Sequence, residues 1–218
     1  MKVLNSDMPN LLIGIMRFRI YNYSDKVKRY WIYFYKKYKL RLRQLLNKHK
    51  IYYNACITRY YEPNGNKSNI QHYINKFKKI WNNRNILIIE GKQTRLGIGN
   101  DLFNNSKSIK RIICPAENAF NAYEKILEYI KILNLDDDIL ILVSLGPTAT
   151  VLAYDIFKLG KQVIDFGHFD LEYEYFLRNA TKVMKIPFKY VNEAVGGNKN
   201  ISQVTDQNYF NQIIMKID

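Results

Sequence analysis

From residue 85 onward the chain alternates short, unbroken apolar runs with segments whose apolar positions recur at helical spacing. N-I-L-I-I-E-G (Asn85–Gly91) reads as a strand closed by glycine, and R-I-I-C-P (Arg111–Pro115) as a second. Beyond it, Phe120, Tyr123, Ile126, Leu127 and Ile130 fall at helical spacing and predict an amphipathic helix. D-D-I-L-I-L-V-S-L-G (Asp137–Gly146) is a third strand. The stretch from Pro147 to Gly160 reads as a helix, with proline just inside its start and glycine just past its end. K-Q-V-I-D-F-G (Lys161–Gly167) is a fourth strand, and E-Y-E-Y-F-L-R-N-A (Glu172–Ala180) opens the next helix. Continuously apolar strands separated by helices pair in parallel and need cover on both faces. The pattern therefore predicts an α/β, Rossmann-like fold, a mostly parallel sheet with helices on both faces.

The first 84 residues are less regular. N-L-L-I-G-I (Asn10–Ile15) is strand-like, Lys26–Lys50 is basic, rich in tyrosine and helical, and Y-Y-N-A-C-I-T-R-Y-Y (Tyr52–Tyr61) reads as a further strand. Y-E-P-N-G-N-K-S-N (Tyr61–Asn69) is a turn or loop, and Ile70–Trp81 a helix. Neither an internal repeat nor a low-complexity linker interrupts the chain. Residues 1–218 are thus expected to form one domain, with a basic, tyrosine-rich part (1–84) and a Rossmann-like part (85–218).

Composition adds two points. With 218 residues, 47% of them apolar, the chain can bury a substantial core, yet no apolar run approaches the roughly 20 residues that cross a bilayer. N-L-L-I-G-I-M is too short for a signal peptide and lacks a cleavage-like tail, and Cys56 and Cys114 sit in apolar contexts without metal-ligand spacing. A cytoplasmic protein with reduced cysteines is expected. The net charge of +15 is unevenly distributed: 1–84 holds 19 Lys and Arg against 3 Asp and Glu, whereas 85–218 holds 15 against 16. A lysine-rich proteome would raise lysine everywhere, so the asymmetry points to a basic face for an anionic partner. Candidates are a membrane surface at the inner face or a phosphorylated or lipid-linked substrate. Nucleic acid is disfavoured, because Trp31, Ile32, Phe34 and Tyr35 recur at near-helical spacing and read more simply as core.

In an open parallel sheet, ligands bind beyond the carboxyl ends of the strands. The four strand ends deliver E-G-K-Q-T-R-L-G-I-G-N-D, P-A-E-N-A-F, L-G-P-T-A-T and F-G-H-F-D-L-E-Y-E. In the third, Gly146, Pro147, Thr148 and Thr150 open a helix whose free N–H groups can hold a phosphate, or simply form a tight turn. In the first, Glu90, Arg95, Gly97, Asn100 and Asp101 are candidates for the same ligand. The loop is neither a P-loop nor a dinucleotide fingerprint, since the required glycines are missing. Arg95 is placed to meet a diphosphate or to pair with Glu90, and both readings stand. Glu117 and Asn118 follow the second strand. In the fourth, His168, Asp170, Glu172 and Glu174 share a face if extended. In a helix they pair as His168 with Glu172 and Asp170 with Glu174. Crowded acids raise one another's pKa unless a cation separates them, so these four are the catalytic candidates, with Asp170 and Glu172 as possible ligands of a divalent metal. The ordinary alternative is a set of acids complementing a helix dipole.

Taken in order, E-G-K-Q-T-R-L-G-I-G-N-D-L-F, R-I-I-C-P-A-E-N-A-F, S-L-G-P-T-A-T-V-L-A-Y-D and D-F-G-H-F-D-L-E-Y-E-Y-F resemble the bacterial GT-D-type glycosyltransferases, with T-R-Y-Y (Thr58–Tyr61) and Lys79–Trp81 also fitting. The resemblance runs from about Asn10 to the C-terminus. It implies a Rossmann-like fold that transfers a hexose, typically glucose from UDP-glucose, with a divalent metal such as Mn²⁺ or Mg²⁺. The implied acceptors are glycans or glycoproteins of surface adhesin, capsule or exopolysaccharide synthesis. The family carries a glycine-flanked Asp-x-Glu motif in a first strand–loop unit implicated in metal binding. No such unit lies upstream of N-L-L-I-G-I here, so a member lacking its first segment is expected. It would be a catalyst or a non-catalytic, nucleotide-sugar-binding partner of a functional transferase.

Overall fold

The computed structural model describes residues 2–15, 25–61 and 67–218, with the side chains of 25–28, 30 and 31 outside the description. Most of the expected turn at 61–69 and the side chain of Trp31 therefore lie outside the described residues. Strands β3 (Asn85–Gly91), β4 (Ser108–Cys114), β5 (Leu140–Ser144), β6 (Gln162–Asp165) and β7 (Ile213–Lys216) form one parallel sheet in the order β6-β5-β3-β4-β7. The mostly parallel α/β sheet read from the apolar runs is the one observed. β7 had no counterpart in that reading, because I-I-M-K is too short to separate from the end of an apolar helix.

Alternation along β3 explains the two layers. Ile86 and Ile88 face a core built with Tyr60, Tyr61, Ile70, Ile74, Trp81, Phe166 and Phe169, which carries α3 (Ile70–Lys78) and α6 (Phe169–Leu177). Leu87 and Ile89 face the opposite core, under α4 (Tyr123–Ile132) and α5 (Pro147–Lys158). Helices thus cover both faces, as strands apolar on both sides require. One crossover departs from the expected alternation: residues 92–107, between β3 and β4, form turns rather than a helix. A second departure follows β4. The chain makes a left-handed turn at Asn118 (φ 52°), passes through a short 3-10 helix at Ala119–Ala122, and only then enters α4. Phe120, one of the five helically spaced apolar residues, is consequently 60% exposed, while the other four are buried.

The first part contributes α1 (Lys2–Asn5), β1 (Gly14–Ile15), α2 (Asp25–Leu45) and β2 (Tyr53–Asn54), with β1 and β2 paired in parallel. The strand expected over Tyr52–Tyr61 stops at Asn54, whose side-chain oxygen accepts the Cys56 N–H at 3.0 Å and starts a 3-10 turn over Ala55–Thr58. Phe34 and Tyr35, read as core, are only half-buried, and Ile32 is exposed. Among the described residues no helix is long and apolar enough to cross a membrane.

The connections out of β3 and β5 leave in opposite directions, β3 towards β4 and β5 towards β6. In open α/β sheets a ligand-binding crevice is expected at such a reversal, here between the carboxyl ends of β3 and β5.

Candidate functional site at the strand ends

Most of the acids singled out in the sequence do not face that crevice. The segment carrying them is the helix α6, so Asp170 and Glu174 lie one turn apart and Glu172 points elsewhere. All three are about 1% exposed. Asp170 Oδ1 accepts the Gly97 N–H and the Asn100 side-chain amide, both at 3.0 Å, and its Oδ2 lies 2.5 Å from Lys189 Nζ. Glu174 Oε1 accepts from Asn100 at 2.6 Å, Lys189 Nζ lies 3.7 Å away, and Oε2 is paired with Arg178. Glu172 Oε2 accepts the Tyr61 N–H at 2.8 Å. These carboxylates bind the 92–107 loop and the Tyr61 segment onto α6. In this structure the three carboxylates, expected as catalytic candidates, are enclosed by these partners rather than exposed at the strand ends. They do not fit a divalent metal either: an ammonium already sits on Asp170, and Glu172 turns to another side of the helix.

The loop candidates are occupied in the same way. Gly97 and Asn100 serve Asp170, and Asp101 accepts from Tyr173 Oη at 2.6 Å and Lys78 Nζ at 2.9 Å, which lower its pKa. Arg95 does not pair with Glu90. It is 8% exposed, and its guanidinium donates to the carbonyls of Phe188 and Ser202 at 2.7 and 2.8 Å. Glu90 is held instead by Arg111 at 2.6 Å and by the Leu96 N–H at 2.6 Å. A buried carboxylate has to find a cation or several donors. The partners here, Lys189 and Arg111, lie 19 and 21 residues away along the chain and carry no local signal.

What does reach the crevice is a smaller set. Gly146 (φ 54°, ψ −139°) turns the chain from β5 into α5 with Pro147 just inside the helix, and no side chain caps the amides of the first turn. Gly146, Pro147 and Thr150 are exposed, whereas Thr148 is buried. The Thr150 hydroxyl donates to Asp165 Oδ2 at 2.8 Å, and Asp165 Oδ1 accepts the Gly167 N–H at 3.3 Å. Burial pushes the Asp165 pKa up against these two hydrogen bonds. Ser144 Oγ donates to the Gly167 carbonyl at 3.0 Å, so the ends of β5 and β6 are fastened together beside the start of α5.

His168 follows at the start of α6 without capping it, and it belongs to a cluster that includes residues from both parts of the chain. Its Nδ1 lies 3.9 Å from Glu193 Oε2, and Glu193 forms a two-pronged pair with Arg59 at 2.9 and 2.6 Å. Burial, then the Arg59 charge, lowers the His168 pKa to about 4 despite the opposing pull of Glu193. Burial raises the Glu193 pKa, but the Arg59 hydrogen bond and charge, with His168, outweigh it and carry it down. Gly167 makes this approach possible: its φ is +51°, and a Cβ there would stand 2.8 Å from Thr58 Oγ1, next to Arg59. Across the crevice Glu117 and Asn118 are exposed, and Tyr190 Oη donates to Glu117 at 3.3 Å. The Tyr190 N–H donates to the Gln93 carbonyl at 2.8 Å, so residues 189–193 run from Glu117 towards His168. Of the residues chosen from sequence, the structure brings together Gly146, Pro147, Thr150 and His168, with Glu117 and Asn118 across the crevice. Arg59, Asp165, Tyr190 and Glu193 were missed. Arg59 and Asp165 stood in quoted motifs, T-R-Y-Y and V-I-D-F-G, but Glu193 and Tyr190 carried no signal. Among the described residues no three of His, Cys, Asp and Glu converge as metal ligands.

Comparison with known proteins agrees with this architecture. A solved structure of domain of unknown function 1792, described as having a distinct glycosyltransferase fold, superposes with a TM-score of 0.90 at 32% identity, covering 99% of this chain and 77% of that one. A new glycosyltransferase of the same domain type from Streptococcus sanguinis gives 0.88 at 32% identity, over 95% of this chain and 77% of that one. The probable glycosyl transferase Gly of Streptococcus gordonii is 39% identical over 166 residues, 76% of this chain and 24% of that protein. The glycosyltransferase GlyD of Streptococcus pneumoniae is also 39% identical over 166 residues, 76% of this chain and 20% of its own length. The chain thus spans a quarter or less of these curated relatives. The model of the glycosyltransferase GT-D fold family matches residues 1–194, and the chain belongs to that family.

Proposed function

We propose that the chain binds a UDP-hexose, with glucose the expected sugar, at the β3–β5 crevice and transfers the sugar to a glycan or glycoprotein acceptor. The observation that carries this reading is the uncapped, exposed start of α5 at Gly146–Thr150, on the topological reversal of the sheet. Pro147 has no N–H and the Ala149 N–H already meets the Gly146 carbonyl at 3.0 Å, so the helix dipole and the remaining first-turn N–H groups favour a diphosphate there. They also stabilise the charge that develops on the diphosphate as it leaves. His168 takes the role of general base. Of the four groups first considered it alone is not sealed in, and its pKa of about 4 leaves the imidazole neutral near pH 7, a hydrogen-bond acceptor for the incoming hydroxyl though a weaker base than an ordinary histidine. Glu193, itself paired with Arg59, lies 3.9 Å from the His168 Nδ1. A divalent cation would supply Lewis-acid help to the leaving diphosphate. Asp170 and Glu172 do not fit such an ion, because Lys189 already sits on Asp170 and Glu172 turns to the Tyr61 N–H.

The test uses titration calorimetry with UDP and UDP-glucose, together with release of glucose from UDP-glucose. Pro147→Asp is informative, because an acid at a helix start favours the helix yet repels a diphosphate. UDP affinity is expected to fall by about tenfold or more with the unfolding temperature unchanged or raised; unchanged affinity would refute the phosphate site. Burial of the three α6 acids favours a second reading, a nucleotide-sugar-binding partner of another transferase. Binding of UDP-glucose without turnover would establish it.

A further inference from the structure

We propose that α2 docks the protein onto an anionic lipid bilayer. The helix is 21 residues long, about 30 Å at 1.5 Å per residue, and none of its described residues is buried. Its sequence holds eight Lys and Arg against Asp25 alone. Half of its residues are apolar, and among the described ones Ile32, Tyr33 and Leu40 are left exposed, a surface that calls for a partner.

The exposed face shows which partner. Tyr33 (62% exposed) and Leu40 (75% exposed) lie seven residues apart, two turns along one line of the helix, with Ile32 exposed nearby. Lys36 and Lys37, both exposed, flank that line on its two sides. Lys37 Nζ sits 5.7 Å from the centre of the Tyr33 ring and donates to the Tyr33 hydroxyl at 3.5 Å. An amphipathic aromatic and an aliphatic residue rimmed by ammonium groups match the boundary between lipid headgroups and acyl chains. There the ring and the leucine enter the apolar layer while the lysines meet lipid phosphates. A nucleic acid backbone would reward the lysines but gain nothing from Leu40. The location fits the charge distribution, since the chain's whole positive excess lies in residues 1–84.

The test is co-sedimentation of the full chain with phosphatidylcholine vesicles, with and without phosphatidylglycerol at about one lipid in three. Binding is expected only to the anionic vesicles. It should weaken when salt rises from about 0.1 M to about 1 M, which shortens the screening length from about 10 Å to about 3 Å. Each neutralised lysine should cost about fivefold in affinity, so K36Q/K37Q loses roughly 25-fold. Tyr33→Ser with Leu40→Ser should weaken binding at every salt concentration. Both variants lie on exposed positions and should unfold at the wild-type urea midpoint. Binding to neither vesicle, equal binding to both, or indifference to K36Q/K37Q would overturn the proposal. So would salt-dependent capture of single-stranded RNA with vesicles ignored, or a dimer abolished by the Leu40 variant in place of lipid binding.

Discussion

Asp170→Asn separates an architectural from a catalytic role for the α6 acids. The carboxylate accepts the Gly97 N–H and the Asn100 amide on one oxygen and faces Lys189 at 2.5 Å with the other, at about 1% exposure. Asparagine can keep the first pair through its carbonyl, but its NH₂ group then confronts the Lys189 ammonium, donor against donor. Lys189 retains the Arg95 carbonyl at 2.8 Å and Glu174 at 3.7 Å. Breaking a buried ion pair typically costs about 3–5 kcal/mol, and the surviving Glu174 contact places this case near the low end, about 3 kcal/mol. Against a total stability of roughly 5–15 kcal/mol that is a large fraction. It should lower the urea midpoint by about 1–2 M and the unfolding temperature by roughly 6–12 °C. Sugar release from UDP-glucose, normalised to the folded fraction, is expected to stay within about threefold of wild type, because no substrate reaches the carboxylate. A variant with a wild-type urea midpoint and turnover reduced by about a hundredfold or more would refute the structural assignment and restore Asp170 to the chemistry.

Other outcomes follow from the same geometry. Arg111→Met leaves Glu90 charged in a site that is 0% exposed, and should cost about 3–5 kcal/mol in urea unfolding. Adding Glu90→Leu to it should recover most of that loss. For His168, the folded pKa of about 4 lies below the ordinary 6.5. Between these values the unfolded chain holds a proton that the folded one lacks, so stability falls as pH drops from 6.5 towards 4 and is level above. His168→Asn should remove roughly 3 kcal/mol of that pH dependence in denaturation curves, and should cut turnover by about a hundredfold or more with little change in KM. Gly167→Ala meets both a positive φ and Thr58 Oγ1 at 2.8 Å, and should cost about 1–3 kcal/mol. Thr58→Ala should relieve the steric part of that loss in a double-mutant cycle.

The sheet was legible in the sequence because its strands are continuously apolar, and burial on both faces leaves no other spelling. β7 and the 3-10 turn after β4 were not. Four residues carry too little periodicity, and the left-handed Asn118 that swings Phe120 outward is a backbone event invisible to spacing. The strand-end rule points to the helix start at Gly146 and to His168 for a similar reason: topology, not side-chain identity, decides where a crevice is expected. It could not show that Asp170, Glu172, Glu174 and Arg95 are enclosed, because an exposed acid and an acid sealed against a distant lysine are written with the same local letters. Lys189 and Arg111 decide between them, and only the fold brings those residues near.

The division of charge between the two parts of the chain hides a structural dependence. Residues 1–84 supply the Tyr61 N–H to the buried Glu172, Arg59 to Glu193 beside His168, and Tyr60, Ile70, Ile74 and Trp81 to the core under α6. The Rossmann-like part alone would expose that core and leave Glu172 without its backbone donor. It would also free Glu193 from the pair that draws its pKa down. His168 would then lose the Arg59 charge that helps to hold it neutral, and its pKa would climb towards the ordinary value. The strand-end face is therefore a property of both parts. The basic part, whatever surface it meets, is also a wall whose Arg59 helps to hold down the pKa of His168, the proposed base.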